Sequence, residues 1–231
     1  MVEGAPGGMT VKAVPNPLAA DRAKAFGLTP VSRETEDRLD RFVELLLTWQ
    51  KTTHLISPST IPTLWTRHVA DSLQLLDLAP SARLWVDLGS GGGFPGLVIA
   101  CALAETPGAQ VHLVESNTRK AAFLREAVRV TGAPGVVEAM RIEKYVANFS
   151  PIPDVLTARA LLPFKSLLDN SFSILSRGAL GLFPKGQDVA AELTQASKYW
   201  NIDYTLAPSR TDSLARIVVV RGLERLQVSE Y

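Results

Sequence analysis

Several residue types and patterns are scarce in this chain of 231 residues, and each absence excludes a class of protein. Cys101 is the only cysteine, so the chain can form neither an internal disulfide bond nor a zinc ribbon, which fits a reducing compartment. No run approaches the roughly 18 apolar residues of a membrane-spanning helix. We therefore expect a cytoplasmic protein without a secretory signal and without a membrane partner.

The motifs of several enzyme classes are also missing. The three histidines, His54, His68 and His112, lack H-x-x-x-H spacing, so we predict no metal site. The chain contains neither the G-x-S-x-G elbow of esterases nor the G-x-x-x-x-G-K-[ST] loop of nucleotide triphosphatases. Cys101 lies in a predicted helix behind a glycine-rich turn, and we expect it to be a core residue, not a nucleophile.

An excess of charge of one sign is missing as well. Lysine and arginine number 24 and aspartate and glutamate 23, so the formal net charge is +1. A partner made of phosphates would therefore need a local basic face on the protein. Apolar residues make up 46% of the chain, which is enough to bury the core of a single domain.

The most informative stretch is residues 83–96, RLWVDLGSGGGFPG. Its apolar run, Leu84–Leu88, predicts a buried strand. Four glycines follow within five positions, and glycine is used where the backbone takes a positive φ or approaches a ligand closely. Pro95 then suits the first turn of a helix that we expect over Leu97–Ala104. The sequence therefore predicts a strand, a glycine turn and a helix, an arrangement that places a ligand at the helix N-terminus.

This glycine turn has three possible interpretations. It could be only a tight structural turn. The pattern D-x-G-x-G-x-G from Asp87 is typical of adenosylmethionine-dependent methyltransferases, whereas Gly91, Gly93 and Gly96 match the G-x-G-x-x-G of nicotinamide dinucleotide enzymes. The next strand ends in Glu115, which could hold a ribose diol. We favour the pattern from Asp87.

Strands and helices alternate along the rest of the chain. An amphipathic helix capped by Ser32 is predicted to about Lys51, and a second helix over about residues 60–76. Further strands are predicted at 110–114, 135–139, 154–158, 178–183, 202–206 and 217–221, with helices at 118–131, 164–175 and 188–198. This alternation predicts an α/β fold with a doubly wound, mostly parallel sheet and an antiparallel hairpin at its edge. We expect residues 1–31 to be a flexible tail and residues 32–231 a single domain, with N-terminal helices over 32–80 and the core over 81–231.

Several segments together resemble one family. They are HVADSL at 68–73, DLGSGGGFPG at 87–96, LVESNTRKAAFL at 113–124, RIE at 141–143, ARA at 158–160 and PKG at 184–186. The chain resembles the ribosomal RNA small-subunit methyltransferase G family, also called glucose-inhibited division protein B. The resemblance runs from about Leu39 to about Val220. Its most specific part is Phe-Pro-Gly after the glycine turn.

The resemblance implies a Rossmann-like class I methyltransferase sheet of seven strands. It implies transfer of a methyl group from S-adenosyl-L-methionine to N7 of a guanine in the 530-loop of 16S ribosomal RNA. The substrate would be that RNA or a small ribosomal subunit particle, and we expect the enzyme to be a monomer without a metal. The chain lacks N-P-P-[YF], the motif expected for methylation of exocyclic amines, and this agrees with a ring nitrogen as target.

The resemblance also implies site residues. Those expected to bind the cofactor are Asp87, Gly89, Gly91, Phe94, Glu115, Ile142, Glu143 and Arg159. Glu115 would hold the ribose, where the family often has Asp, and Ile142 and Glu143 would contact the adenine. The residues expected to serve the guanine and the RNA are Arg159, Lys185, Arg119 and Arg141, with Lys120 and Arg216 as further candidates. His68, Asp71 and Ser72 could border the pocket or only join a helix to the sheet.

Two other functions remain open on the residues alone. A nicotinamide-dependent oxidoreductase would use the Gly91, Gly93 and Gly96 frame, but neither Tyr145 nor Tyr199 has a lysine four residues on. A non-enzymatic RNA-binding module would leave Asp87 and the glycines without a purpose. Guanine N7 carries an in-plane lone pair, so its methylation needs alignment more than a general base. The chain accordingly lacks an obvious acid–base pair.

Overall fold

The computed structural model describes residues 17–159 and 161–226. Seven helices precede, separate and cover the strands: α1 (Pro17–Leu28), α2 (Arg33–Trp49), α3 (Gly96–Ala102), α4 (Thr118–Thr131), α5 (Ile142–Asn148), α6 (Phe164–Leu175) and α7 (Val189–Ala196). The strands are β1 (Leu84–Leu88), β2 (Gln110–Val114), β3 (Gly135–Glu138), β4 (Val155–Thr157), β5 (Leu180–Lys185), β6 (Trp200–Pro208) and β7 (Arg216–Arg225). An irregular helical segment over residues 58–78 connects α2 to β1.

The strands of the described residues form one sheet in the order β3-β2-β1-β4-β5-β7-β6. The first five in this order run parallel, and β7 runs antiparallel to both β5 and β6. The predicted seven-stranded, mostly parallel sheet with an antiparallel hairpin at its edge is therefore confirmed. From β1 the chain adds β2 and β3 on one side, and it then crosses to add β4 and β5 on the other side of β1. Ligands of open α/β sheets bind at such a switch point, here between β1 and β4.

Helices cover both faces of the sheet. Trp85 on β1 belongs to the apolar cluster that includes Phe42 of α2, Leu97 of α3 and Phe123 of α4. Val86, its neighbour in the chain, belongs to the other cluster, with residues of α5, α6 and α7. Successive side chains of a strand point to opposite faces, so a run buried on both faces reads as continuously apolar.

Ser32 caps α2, as predicted, and Asn117 caps α4. Ser32 Oγ accepts from the backbone N–H of Thr35 at 3.2 Å, and Asn117 Oδ1 accepts from those of Arg119 and Lys120 at 3.0 and 3.1 Å. These side chains satisfy N–H groups that have no partner in the first helical turn.

The prediction of a flexible tail to residue 31 is wrong for residues 17–28, which form α1. Asp21 on this helix is buried, and its carboxylate accepts hydrogen bonds from the backbone N–H of Trp65 and from the hydroxyl of Thr66. Arg22 pairs with Glu36 and Asp40 of α2. These contacts are polar and join residues far apart in the chain, so no apolar periodicity in the sequence indicates this helix. The rest of the predicted tail, residues 1–16, lies outside the described residues.

The helix predicted over about residues 60–76 is not one regular α-helix. Residues 58–78 run through a 3₁₀ segment (Pro58–Thr63), a π segment (Trp65–Ala70), an α-helical turn (Asp71–Leu73) and a second 3₁₀ segment (Gln74–Leu78). Pro62 lacks the N–H that a regular helix would use. The π segment matters for the site described below, since it carries His68.

Helix α5 was not predicted, because a segment of seven residues gives too little periodicity. The other strands and helices fall within three residues of their predicted bounds at most ends. In the described residues, no helix is both long enough and apolar enough to span a membrane.

Candidate functional site

The glycine turn lies between the carboxyl end of β1 and the start of α3. Gly89, Gly91 and Gly93 have φ angles of 69°, 54° and 91°, which residues with a side chain rarely adopt. A Cβ atom on Gly89 would also overlap the side chain of Leu161. The turn therefore needs glycine at these positions.

Gly96 has a different task from the glycines of the turn. A Cβ atom there would lie 2.5 Å from Cδ2 of Leu113 and 2.7 Å from Cβ of Asp87. This glycine lets the first turn of α3 pack directly against β1 and β2. The third glycine of the alternative G-x-G-x-x-G frame is thus explained by packing, whether or not a dinucleotide binds.

Asp87 is fully buried under the start of α3. Its Oδ2 accepts the backbone N–H of Gly96 at 3.1 Å, whereas its Oδ1 has no hydrogen-bond partner within the described residues. Burial raises the pKa of this carboxyl from 3.8 to about 7, although the nearby Ser90 side chain, the Gly96 N–H and Arg159 act against the shift. A buried carboxylate oxygen without a partner is a place where a ligand cation would be held.

Glu115, at the end of β2, is tied to the glycine turn. Its Oε2 accepts the N–H of Gly91 at 2.9 Å, and its Oε1 accepts the N–H of Asn117 at 2.7 Å. An ionised carboxylate has about four acceptor sites, so two remain for hydroxyl groups. Glu115, which is predicted to bind the ribose, therefore lies beside the glycine turn. It also holds that turn against the end of β2.

Arg159 follows β4, with 17% of its side chain exposed. Its Nη2 lies 2.7 Å from Nδ1 of His68, and its Nη1 donates to the carbonyl oxygen of Arg67 at 3.2 Å. Asp71 Oδ2 is 3.6 Å from Nη1. Burial lowers the pKa of Arg159 from its ordinary value, and Asp71 and Asp87 act against this.

Phe94 forms the floor between these groups. It is buried, and its ring centroid lies 4.9 Å from that of His68 and 5.3 Å from that of Phe42. The Arg159 guanidinium lies over the same ring at 5.3 Å. The structure thus brings Phe94 and Arg159 together, as the sequence predicted, and adds His68 to them.

Ile142 and Glu143 begin α5, after the carboxyl end of β3. Ile142 is half-buried against the core, and Glu143 is exposed. Arg141, just before them, is exposed and precedes the first turn of the helix. All three lie at the same edge of the sheet as Glu115, because β2 and β3 are parallel neighbours.

The basic residues expected at the RNA face differ in whether their side chains are already bonded to other groups of the protein. Arg119, in the first turn of α4, is exposed. Lys185 Nζ instead pairs with Glu192 at 2.8 Å and lies over the ring of Phe164. Arg216, its partner in β7, donates to the carbonyl oxygens of Ser213 and Ala215. Lys185 and Arg216 are neighbours in paired strands, and both are engaged by other groups of the protein. Among the described residues, the side chains of Arg119, Lys120 and Arg141 have no hydrogen bond or ion pair.

Nucleophilic and metal chemistry find no support at this site. Cys101 is buried in α3, and burial raises the pKa of its thiol to about 12. No cluster of three or more His, Cys, Asp or Glu side chains in residues 17–159 and 161–226 could hold a metal ion.

Sequence reasoning left the roles of His68 and Asp71 open and did not connect them to Arg159. Both contact its guanidinium, although more than 80 residues separate them from it in the chain. The only signal was their place in the HVADSL segment. Leu161, which packs against Gly89, gave no signal at all.

Comparisons with known proteins identify the family. A family model described as rRNA small subunit methyltransferase G matches residues 35–215. A Ribosomal RNA small subunit methyltransferase G of Bradyrhizobium sp. (strain BTAi1) is 61% identical over 208 residues, which cover 90% of this chain and 94% of that protein. The protein of the same name from Nitrobacter hamburgensis is 58% identical over 207 residues, covering 90% of this chain and 80% of its own length.

Solved structures support the fold. The crystal structure of cofactor-bound Rv0187 from MTB superposes with a TM-score of 0.59 at 13% identity, covering 90% of this chain and 98% of that one. A mutant of MtNAS in complex with S-adenosylmethionine gives a TM-score of 0.53 at 16% identity, covering 89% and 77%. At such identities, the likeness concerns the fold alone. The family match and the close relatives together show that this chain belongs to the rRNA small subunit methyltransferase G family.

Proposed function

We propose that this protein transfers the methyl group of S-adenosyl-L-methionine to N7 of a guanine in the 530-loop of 16S ribosomal RNA. The observation that carries the proposal is the family match over residues 35–215. The substrate would be the RNA itself or a small ribosomal subunit particle. We further propose that the enzyme acts as a monomer in the cytoplasm.

The site fits the cofactor. Oδ1 of Asp87 is buried and has no hydrogen-bond partner among the described residues, so it suits the ammonium group of the methionine moiety. The turn formed by Gly89 and Gly91 follows directly, and Glu115 retains acceptor sites for the ribose hydroxyls. Ile142 and Glu143 would border the adenine, and Phe94 the floor of the pocket. The cofactor supplies a methyl group already activated by a positively charged sulfur.

The residues around the site favour a target atom that needs no deprotonation. Both ring nitrogens of His68 are engaged, Nδ1 by Arg159 and Nε2 by Thr60, so this histidine is not free to accept a proton. Methylation of a pyrimidine carbon needs a cysteine nucleophile, and the thiol of Cys101 is buried and protonated. Guanine N7 meets the requirement because its lone pair is free at neutral pH.

Arg159 is suited to orient the guanine. A guanidinium has five N–H donors, and two of them are taken by His68 and the Arg67 carbonyl. The remaining donors could reach guanine O6, a contact that arginine makes in nucleic-acid recognition. Fixing O6 fixes N7 in the same ring system, and alignment is what this reaction requires.

The reaction is tested with small-subunit RNA from a strain that lacks this protein. We expect incubation with the protein and methyl-labelled S-adenosylmethionine to place the label in 7-methylguanosine at one site of the 530-loop after digestion to nucleosides. RNA from the parent strain, already methylated at that site, is the control and should accept little label. Label in N6-methyladenosine, N2-methylguanosine or 5-methylcytidine would contradict the proposal.

The RNA face is tested through the salt dependence of binding. Arg119 is exposed at the start of α4, at the carboxyl edge of the sheet, whereas Arg129 lies at the other end of the same helix and pairs with Glu126. We expect Arg119→Ala to reduce the slope of log affinity against log salt by about 0.7–0.9 for one lost phosphate contact.

The matched variant Arg129→Ala should leave this slope unchanged. The slope is measured by titrating labelled 530-loop RNA at several salt concentrations. Equal slopes for Arg119→Ala and the unmodified protein would remove Arg119 from the RNA face.

A further inference from the structure

His68 lies on the π segment of the irregular helical region and contacts both the Arg159 guanidinium and the ring of Phe94. Its Nδ1 lies 2.7 Å from Nη2 of Arg159, and its Nε2 lies 2.8 Å from Oγ1 of Thr60. The ring is buried and packs against Phe94 at a centroid distance of 4.9 Å. Three contacts therefore hold this imidazole in one orientation.

The contact with Arg159 fixes the protonation state of this ring. A guanidinium has donors only, so Nδ1 of His68 must be the acceptor in that hydrogen bond. The proton of the neutral ring is then on Nε2, which donates to Thr60 Oγ1. Burial, together with the positive charges of Arg159 and Arg67, lowers the pKa of His68 from 6.5 to about 3. The ring thus stays neutral near neutral pH.

The other polar contacts of Arg159 involve Nη1, so without His68 they would not fix the orientation of the guanidinium plane. Asp71 Oδ2 is 3.6 Å from Nη1, longer than a hydrogen bond, and its Oδ1 already accepts from Gln74 and Thr211. The Arg67 carbonyl accepts from Nη1 at 3.2 Å. The bond to His68 is the shortest of these, and within residues 17–159 and 161–226 it is the one hydrogen bond that Nη2 makes.

We propose that His68 is a positioning residue for methyl transfer, which holds the Arg159 guanidinium through Nδ1 and is itself anchored on Thr60 through Nε2. This inference rests on the proposed function, since it assigns Arg159 the task of orienting the guanine. His68 does not touch the reacting atoms. It acts by fixing the plane of a guanidinium that would otherwise rotate over the ring of Phe94.

Substituting His68 by Asn or by Gln distinguishes the role of Nδ1 from that of Nε2. The side-chain oxygen of Asn can occupy the place of Nδ1, so His68→Asn can still accept from Arg159. The longer Gln reaches the place of Nε2, so His68→Gln can keep the contact with Thr60 but offers no acceptor at Nδ1. A role in folding alone would make no such distinction between the two variants.

The experiment compares single-turnover formation of 7-methylguanosine in small-subunit RNA with calorimetric binding of S-adenosylmethionine. We expect His68→Asn to retain turnover within a few-fold, and His68→Gln to lose about 10²-fold, the effect of misplacing a group by about an ångström. Cofactor affinity should change much less than turnover in both, since the side chain of His68 is bonded to Arg159 and Thr60 and makes no hydrogen bond to Asp87, Glu115 or the glycines of the turn within the described residues. Equal losses in the two variants, or none in either, would overturn the proposal.

A double-substitution cycle shows whether the effect passes through Arg159. In an Arg159→Ala background, His68→Gln should cause no further loss of turnover, because the group it positions is gone. A further loss of the same size would show that His68 acts by another route. Circular dichroism melting of each variant verifies that it is folded.

A spectroscopic readout keeps this inference separate from the proposed reaction. The chain has three histidines, so the ¹⁵N imidazole signals of His68 are assigned by their loss in His68→Asn. We expect a neutral ring protonated on Nε2, with no titration near the ordinary pKa of about 6.5, and a changed Nδ1 signal in Arg159→Ala. A ring that titrates near 6.5 would overturn the positioning contact. Absence of 7-methylguanosine with the unmodified protein would overturn the proposed function instead.

Discussion

Arg159→Ala is expected to lower the single-turnover rate of 7-methylguanosine formation by about 10²-fold or more, while cofactor affinity falls by less than about tenfold. The side chain lies over Phe94 and between His68 and Asp71, at the carboxyl end of β4. Removing it takes away the donors that would orient guanine O6. The glycine turn and Glu115, which would hold the cofactor, keep their own hydrogen bonds.

Arg159→Lys is the matched variant for this prediction. It keeps a positive charge beside Asp71 and Asp87, and it loses the planar fork of donors. Removing one partner of a buried charge pair destabilises a protein by about 3–5 kcal/mol. We therefore expect Arg159→Lys to be more thermally stable than Arg159→Ala, whereas its turnover should stay low. Rates are measured with excess enzyme, and affinity by calorimetry. Full turnover in Arg159→Lys would show that charge alone suffices and that orientation is not its task.

Asp87→Asn is expected to weaken S-adenosylmethionine binding at pH 8 by on the order of 10–100-fold, because a hydrogen bond between charged groups contributes about 1.5–3 kcal/mol. Its Oδ1 is buried and without a partner in the described residues, and the ammonium group of the cofactor would fill that place. Asn can still accept the N–H of Gly96 through its oxygen. The turn itself should therefore survive the substitution.

The same residue predicts the pH dependence of cofactor binding. In the free protein, burial raises the pKa of Asp87 to about 7, so below that pH the carboxyl carries a proton that the cation must displace. Binding favours the ionised form and lowers this pKa. Affinity should thus be greatest between about pH 7 and the pKa of the cofactor's α-amino group, about 8. Below pH 7 it should fall towards tenfold per pH unit, until the pKa of the complex is reached.

Calorimetry in buffers of different ionisation enthalpy checks this, since binding below pH 7 should release a proton. Asp87→Asn should abolish both the proton release and the pH dependence. Asp154→Asn is the control, because Asp154 also accepts backbone N–H groups, those of Arg83 and Leu84, at the opposite end of the sheet. Unchanged pH dependence in Asp87→Asn would assign the titrating group elsewhere.

The sequence alone determined the parts of the fold that depend on neighbours in the chain. Helices α2 and α4 follow from apolar periodicity, and the cap of α2 follows from the Ser32 hydroxyl, which lies three residues before the N–H group that it accepts. The glycine turn after β1 follows from residues that alone tolerate positive φ. The order of strands and helices then predicted the parallel sheet and its antiparallel hairpin.

The family resemblance placed individual residues more finely than local patterns could. Asp87, Gly89, Phe94, Glu115 and Arg159 lie around the glycine turn and the ends of β1, β2 and β4, as expected. Their precise tasks in binding and transfer stay predictions. The sequence named Lys185 and Arg216 as candidates for the RNA face, but only the structure shows that they are paired across β5 and β7 and that Glu192 forms an ion pair with Lys185.

Only the tertiary structure decided which distant groups meet. The bond from Arg159 to His68 joins residues 91 positions apart, and the bond from Thr66 to Asp21, which anchors α1, joins residues 45 positions apart. Such contacts have no period and no local composition, because they depend on how whole elements pack. The π segment that carries His68 is equally non-local, since a regular helix is the default for its apolar pattern. The contacts that hold Arg159 therefore depend on how the helical segment packs on the sheet, and the sequence alone could not predict them.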